Sequence, residues 1–67
     1  MNSTDLRAQL SRLHLERIDA TEIGLGGNDT YMADLEEEIL ETRTLLTMAA
    51  VTEVAVARAE QSGLLIG

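Results

Sequence analysis

The fold of this chain depends on one short segment, the sequence GLGGND at Gly24–Asp29. Three of its six residues are glycine, and its last two are Asn and Asp, which favour turns and helix starts. Apolar residues recur at helical spacing on both sides of this segment. The segment is therefore predicted to be a turn between two helices, and the chain to be all-α.

The first helix is predicted over about residues 4–23. Leu6, Leu10 and Leu13 fall within about 60° of one another on a helix, which makes one apolar stripe for a core. Asn2–Asp5 contains four residues of types that cap helices well, so the pattern leaves the identity of the N-cap open.

The second helix is predicted over about residues 30–62, with Leu35 and Ile39 on its core stripe. A glycine followed by leucine comes directly after the first helix, and Gly63 with Leu64 repeats that pair. A left-handed glycine followed by an apolar residue is a common helix stop. Both helices are therefore expected to end at a Gly-Leu pair.

The second helix becomes apolar on every side in its C-terminal half. Ten of the thirteen residues in Leu45–Ala57 are apolar and only Glu53 is charged, a pattern typical of a buried helix. A first helix of about 30 Å, folded back antiparallel, covers little of the second helix beyond Ala50. The uncovered part is predicted to be a protein interface formed by Leu46, Ala50, Val51, Glu53, Val54, Val56, Ala57, Leu64, Leu65 and Ile66.

The chain is predicted to be a single domain over residues 1–67, an antiparallel hairpin with a short N-terminal and a long C-terminal helix. At 67 residues it buries too little surface for a robust core, and without cysteine it has no disulfide to compensate. We therefore expect oligomerisation to complete the hairpin as a helical bundle.

The charge of the chain argues against nucleic acid and anionic membranes as partners. The formal net charge is −7, with five arginines and no lysine. Arg7, Arg12 and Arg17 are spaced by five and fan around a helix, so they form no cationic row. There is no span for a bilayer and no signal-peptide pattern, and the expected location is the cytoplasm or a particle assembled there.

No residue pattern predicts catalysis, a cofactor, a metal or a small-molecule substrate. His14 is the only imidazole, and its nearest carboxylate, Glu16, points elsewhere on a helix. The acidic run within Asp34–Glu41 has no Glu-x-x-His pair. This run is expected to be a solvated face, or else a docking surface for a basic partner. The glycines of the turn lack the Lys-Ser/Thr of a phosphate loop.

Glu53 stands out because it lies inside the apolar segment. A buried unpaired carboxylate is costly, so we expect it to be paired or at an interface edge. Arg58 and Arg43 are the candidate partners, supplied by another chain. Glu53 is then either a determinant of helix register or a carboxylate at the rim of a narrower interface.

These features favour a non-enzymatic, self-assembling structural or assembly protein, such as a scaffold, a virion or particle component, or an adaptor. The partner is then another copy of the chain. The alternative is a small acidic regulator, such as an antitoxin, inhibitor or chaperone, that binds one specific protein.

Overall fold

The computed structural model describes the backbone of residues 1–66 and the side chains of residues 1–61. Helix α1 spans Ser3–Glu22, a short 3-10 turn spans Leu25–Gly27, and helix α2 spans Asp29–Ile66. The described residues contain no strand. The prediction of an all-helical chain with two helices is confirmed, and the arrangement is a helical hairpin.

An asparagine caps the start of each helix. The Asn2 side-chain oxygen accepts a hydrogen bond from the Asp5 backbone N–H at 2.8 Å, and Asn28 accepts from the Tyr31 N–H at 3.0 Å. Each bond satisfies one of the backbone donors that a helix start leaves free. The structure thereby selects Asn2 from the four N-cap candidates of the first helix.

Helix α1 ends at Glu22, and the predicted glycine turns the chain directly after the C-cap residue, Ile23. Gly24 has φ +92°, in the left-handed region, and its N–H donates to the Thr21 carbonyl at 3.3 Å. The Ile23 N–H donates to the Asp19 carbonyl at 3.0 Å. A side chain at Gly24 would be strained by this backbone conformation, which explains why glycine turns the chain here.

The predicted end of the second helix, at about residue 62, is wrong. Helix α2 continues through Gly63 to Ile66. A glycine inside a helix costs only about 1 kcal/mol relative to alanine, and it ends the helix only when it adopts the left-handed conformation. The Gly-Leu pair at residues 63 and 64 is therefore not a stop.

The core lies between the two helices. The side chains of Leu13, Leu35 and Ile39 form one buried cluster, with Leu10 and Tyr31 packed against it. The predicted stripes therefore do form the core. The buried side chains of the described residues are Leu6, Leu13, Ala20, Leu35, Ile39 and Thr42. Ala20 and Thr42 were not among the predicted core residues.

Side-chain contacts place the ends of the hairpin. Ser3 at the start of α1 contacts Glu53 of α2, and Tyr31 at the start of α2 contacts Glu16. Helix α2 continues beyond Glu53 for about 20 Å, and we call this segment, residues 54–66, the C-terminal arm. The molecule measures 60 × 15 × 12 Å, and its radius of gyration is 17.4 Å, against about 11 Å for a compact chain of this length.

Candidate interaction surface

The structure divides the predicted interface residues into two groups. Leu46 and Ala50 are half-buried and lie on the same face of α2 as Leu35 and Ile39. Glu53 is held by α1. These three residues therefore belong to the side of α2 that faces α1 within one chain.

Four of the other predicted interface residues are exposed. Val51, Val54 and Val56 are 63%, 53% and 51% exposed, and Ala57 is exposed as well. The side chains of residues 64–66, which were also predicted to be at the interface, lie outside the described residues. An interface on the C-terminal arm thus stays a prediction.

A second stripe of apolar residues, threonines and one arginine lies on α2, about 120° around the helix from the face that α1 occupies. We call it the outer stripe. Its members are spaced alternately by four and three residues, the spacing that keeps one face of a helix aligned along a neighbour. That spacing is the signal by which it can be found in the sequence. The outer stripe consists of Leu40, Thr44, Thr47, Val51, Val54 and Arg58, and all of them are exposed.

The threonines of the outer stripe are less polar than their type suggests. The Thr44 hydroxyl donates to the Leu40 carbonyl at 3.0 Å, and the Thr47 hydroxyl donates to the Arg43 carbonyl at 3.1 Å. With the hydroxyl proton used inside the helix, the methyl group contributes to an apolar surface. Leu40, Thr44 and Leu45 line a shallow groove at the acidic end of this surface.

Glu53 binds the N-terminus of α1. One carboxylate oxygen accepts from the Ser3 backbone N–H at 3.1 Å, and the other accepts from the Ser3 hydroxyl at 2.6 Å. Pairing of Glu53 with Arg58 or Arg43 of another chain stays a prediction, whereas its partner within the chain is Ser3. The reason is geometric, because the positive end of the α1 dipole and its unpaired N–H lie beside this carboxylate.

These contacts change the acidity of Glu53. The hydrogen bonds from the Ser3 hydroxyl and backbone, with a smaller contribution from Arg7, hold the pKa of Glu53 below its usual value. A lowered pKa in the folded state means that ionised Glu53 stabilises the fold above the ordinary glutamate pKa of about 4.3. The stabilisation disappears as the pH falls through the lowered pKa.

Glu53→Gln should therefore lower the melting temperature near neutral pH, where it weakens the two bonds to Ser3. The difference in melting temperature between the two proteins should become smaller as the pH falls below about 4, since Glu53 of the wild type is then protonated and, like glutamine, uncharged. Circular dichroism melts of both proteins across this range measure the gap. A gap that stays constant with pH would show that the charge of Glu53 does not stabilise the hairpin.

The other end of the hairpin is held by two surface contacts. The Tyr31 hydroxyl donates to a Glu16 carboxylate oxygen at 2.9 Å, and Arg17 pairs with Glu36 at 2.9 Å. Donation to Glu16 raises the pKa of Tyr31. An exposed ion pair such as Arg17–Glu36 stabilises by at most about 1 kcal/mol, so these contacts set the alignment of the helices more than their stability.

The remaining chemical groups are dispersed over the surface. His14 is half-buried and lines a shallow depression with Ile18 and Glu22. Asp34, Glu37, Glu38 and Glu41 line another, open to solvent. Over the residues that the structure describes, no group of three His, Cys, Asp or Glu side chains is placed to hold a metal ion. Neither described helix combines the length and apolarity that crossing a bilayer requires.

No family model matches the chain, and no curated protein or solved structure is significantly similar to it. Its function must therefore be inferred from the chemistry of its own surface. That surface has three distinctive parts, which are the exposed valines of the C-terminal arm, the outer stripe of α2, and the acidic residues near the start of α2.

Proposed function

We propose that this protein is a small, non-enzymatic, self-assembling structural or assembly protein, such as a scaffold, a virion or particle component, or an adaptor. Its antiparallel hairpin is completed by oligomerisation into a helical bundle. The contacts are made by the apolar part of α2 that α1 leaves uncovered. We place it in the cytoplasm or in a particle assembled there.

The area of exposed surface is the observation that carries this proposal. The chain exposes 5140 Å², whereas a compact monomer of 7.3 kDa exposes about 4,200 Å². The difference, about 900 Å², is close to the roughly 800 Å² that each partner buries in a protein interface of standard size. Pairing with another copy would bring the exposed area to that of an ordinary folded protein.

The small size of the core supports the same conclusion. Only five hydrophobic residues are buried among those described, and one of them is alanine. A fully buried leucine or isoleucine contributes about 1.5–3 kcal/mol, whereas ordering each residue costs about 1–2 kcal/mol. A hairpin with this core is marginal by itself, and association with a copy supplies the missing burial.

Sedimentation of the purified chain tests the proposal. We expect a discrete homo-oligomer whose melting temperature rises with protein concentration, because assembly stabilises the folded state by mass action. A monomer with a melting temperature independent of concentration would overturn the proposal.

The acidic surface near the start of α2 supports a second candidate function, a regulator that binds one basic protein. Asp34, Glu37, Glu38 and Glu41 lie together on one exposed surface of α2. Such a surface attracts cationic partners in a salt-dependent manner. An antitoxin, inhibitor or chaperone of this kind would be monomeric and loosely folded until its partner is added, so the sedimentation experiment separates the two functions.

A further inference from the structure

We propose that two copies of this chain pair through the outer stripe of α2, with the two α2 helices antiparallel. The occupant of the stripe is therefore the same stripe of a second copy. This inference rests on the proposed function, and it adds the surface, the orientation and the register of the contact.

The position of the outer stripe allows this pairing without disturbing the hairpin. On a helix with about 100° per residue, the stripe from Leu40 to Arg58 lies about 120° around α2 from the stripe of Leu35 and Ile39. The latter is occupied by α1. The outer stripe has the spacing of a helix–helix contact, and its residues are exposed within the chain.

The distribution of charge selects the antiparallel orientation. Residues 29–53 contain seven carboxylates and one arginine, whereas residues 54–67 contain only Arg58 and Glu60 as charged residues. Parallel helices would place two acidic segments side by side, where like charges repel. Antiparallel helices place the neutral segment of each copy beside the acidic segment of the other.

One register suits the side chains best. If the two-fold axis passes between the levels of Thr47 and Val51, then Thr47 faces Val51 of the second copy and Thr44 faces Val54. Arg58 then lies opposite Leu40, within one helical turn of Glu37 and Glu41, so the cation meets the acidic segment. A shift by one heptad towards the start of α2 would place Glu37 against Val54, at the cost of desolvating a carboxylate.

Single-cysteine variants test the orientation and the register, because the natural chain has no cysteine. A disulfide requires Cβ atoms about 3.5–4.5 Å apart. In the proposed pair, Thr47→Cys and Val51→Cys face each other, whereas two copies of either variant have their cysteines about 6 Å apart along the helix axis. One variant carries a mass tag, and the mixture is oxidised with oxidised glutathione.

We expect the mixed Thr47→Cys/Val51→Cys dimer to exceed each homodimer severalfold. Asp19→Cys, on the exposed surface of α1, is the matched control for collisional crosslinking and should form little dimer. Homodimers of Val51→Cys in excess would indicate parallel helices and overturn the proposal. Equal crosslinking of Asp19→Cys would overturn it as well.

A charge exchange provides an independent readout. Arg58→Glu should weaken association by about fivefold, and adding Glu41→Arg should restore it, since the exchange re-creates an opposite-charge pair. The wild type could form an oligomer in sedimentation, yet give no mixed crosslink and associate equally well after Arg58→Glu. This result would support self-assembly but overturn the outer stripe as the contact surface. A monomeric wild type overturns both.

Discussion

Leu13→Ala should abolish most of the cooperative folding of this protein. Leu13 is 6% exposed and lies in the buried cluster, against Leu35 and Ile39. Truncating a buried leucine to alanine costs about 2–5 kcal/mol, whereas a core of this size supplies no more than about 3–5 kcal/mol in total. Circular dichroism should record a large loss of helical signal and of the thermal transition.

Leu15→Ala is the matched control for this experiment. It makes the same change two residues away on the same helix, but Leu15 is 60% exposed. Its effect on the free energy of unfolding should stay within about 0.5 kcal/mol. Similar losses in the two variants would mean that the contacts between α1 and α2 do not maintain the fold.

Val54→Asp combined with Val56→Asp should dissociate the oligomer. Both valines are about half exposed in the single chain, so the aspartates cost little there. In the proposed pair Val54 lies in the contact, so a carboxylate there would be desolvated beside apolar groups at a cost of several kcal/mol, and the second carboxylate adds repulsion on the neighbouring surface of the arm. Sedimentation should therefore show the mass of a monomer, and the melting temperature should fall because the hairpin alone is marginal.

A charge-matched variant separates the loss of apolar contacts from general repulsion. Leu15→Asp combined with Ile18→Asp also adds two negative charges at exposed apolar residues, but on α1. We expect it to remain oligomeric. If both double variants dissociate to the same extent, the added charge alone accounts for the loss. If the arm variant keeps the wild-type mass and melting temperature, the C-terminal arm is not an interface.

The contacts at the two ends of the hairpin link the fold to the proposed function. Glu53 holds the start of α1, while Glu16 and Tyr31 hold its other end near the turn. Together they place α1 against the part of α2 that precedes the C-terminal arm. The outer stripe is exposed because α1 occupies another face of α2. The C-terminal arm is exposed because α1 does not extend along it.

The sequence by itself determined the elements and most of the core. A left-handed glycine, asparagine caps and apolar residues at helical spacing act within a few residues, so Gly24 and the stripe of Leu6, Leu10 and Leu13 could be read directly. The stop predicted at Gly63 failed because the same Gly-Leu pair is compatible with a continuing helix. A local sequence pattern predicts where a helix ends only when it clearly favours one backbone conformation.

The tertiary structure alone decided how the two helices align along their axes. Helical spacing tells which residues share a face, but it does not tell which level of one helix meets which level of the other. That alignment paired Glu53 with Ser3 and buried Ala20 and Thr42. It also placed Leu46 towards α1 and left Val54 exposed, because contacts between residues far apart in the chain depend on packing that no short segment contains.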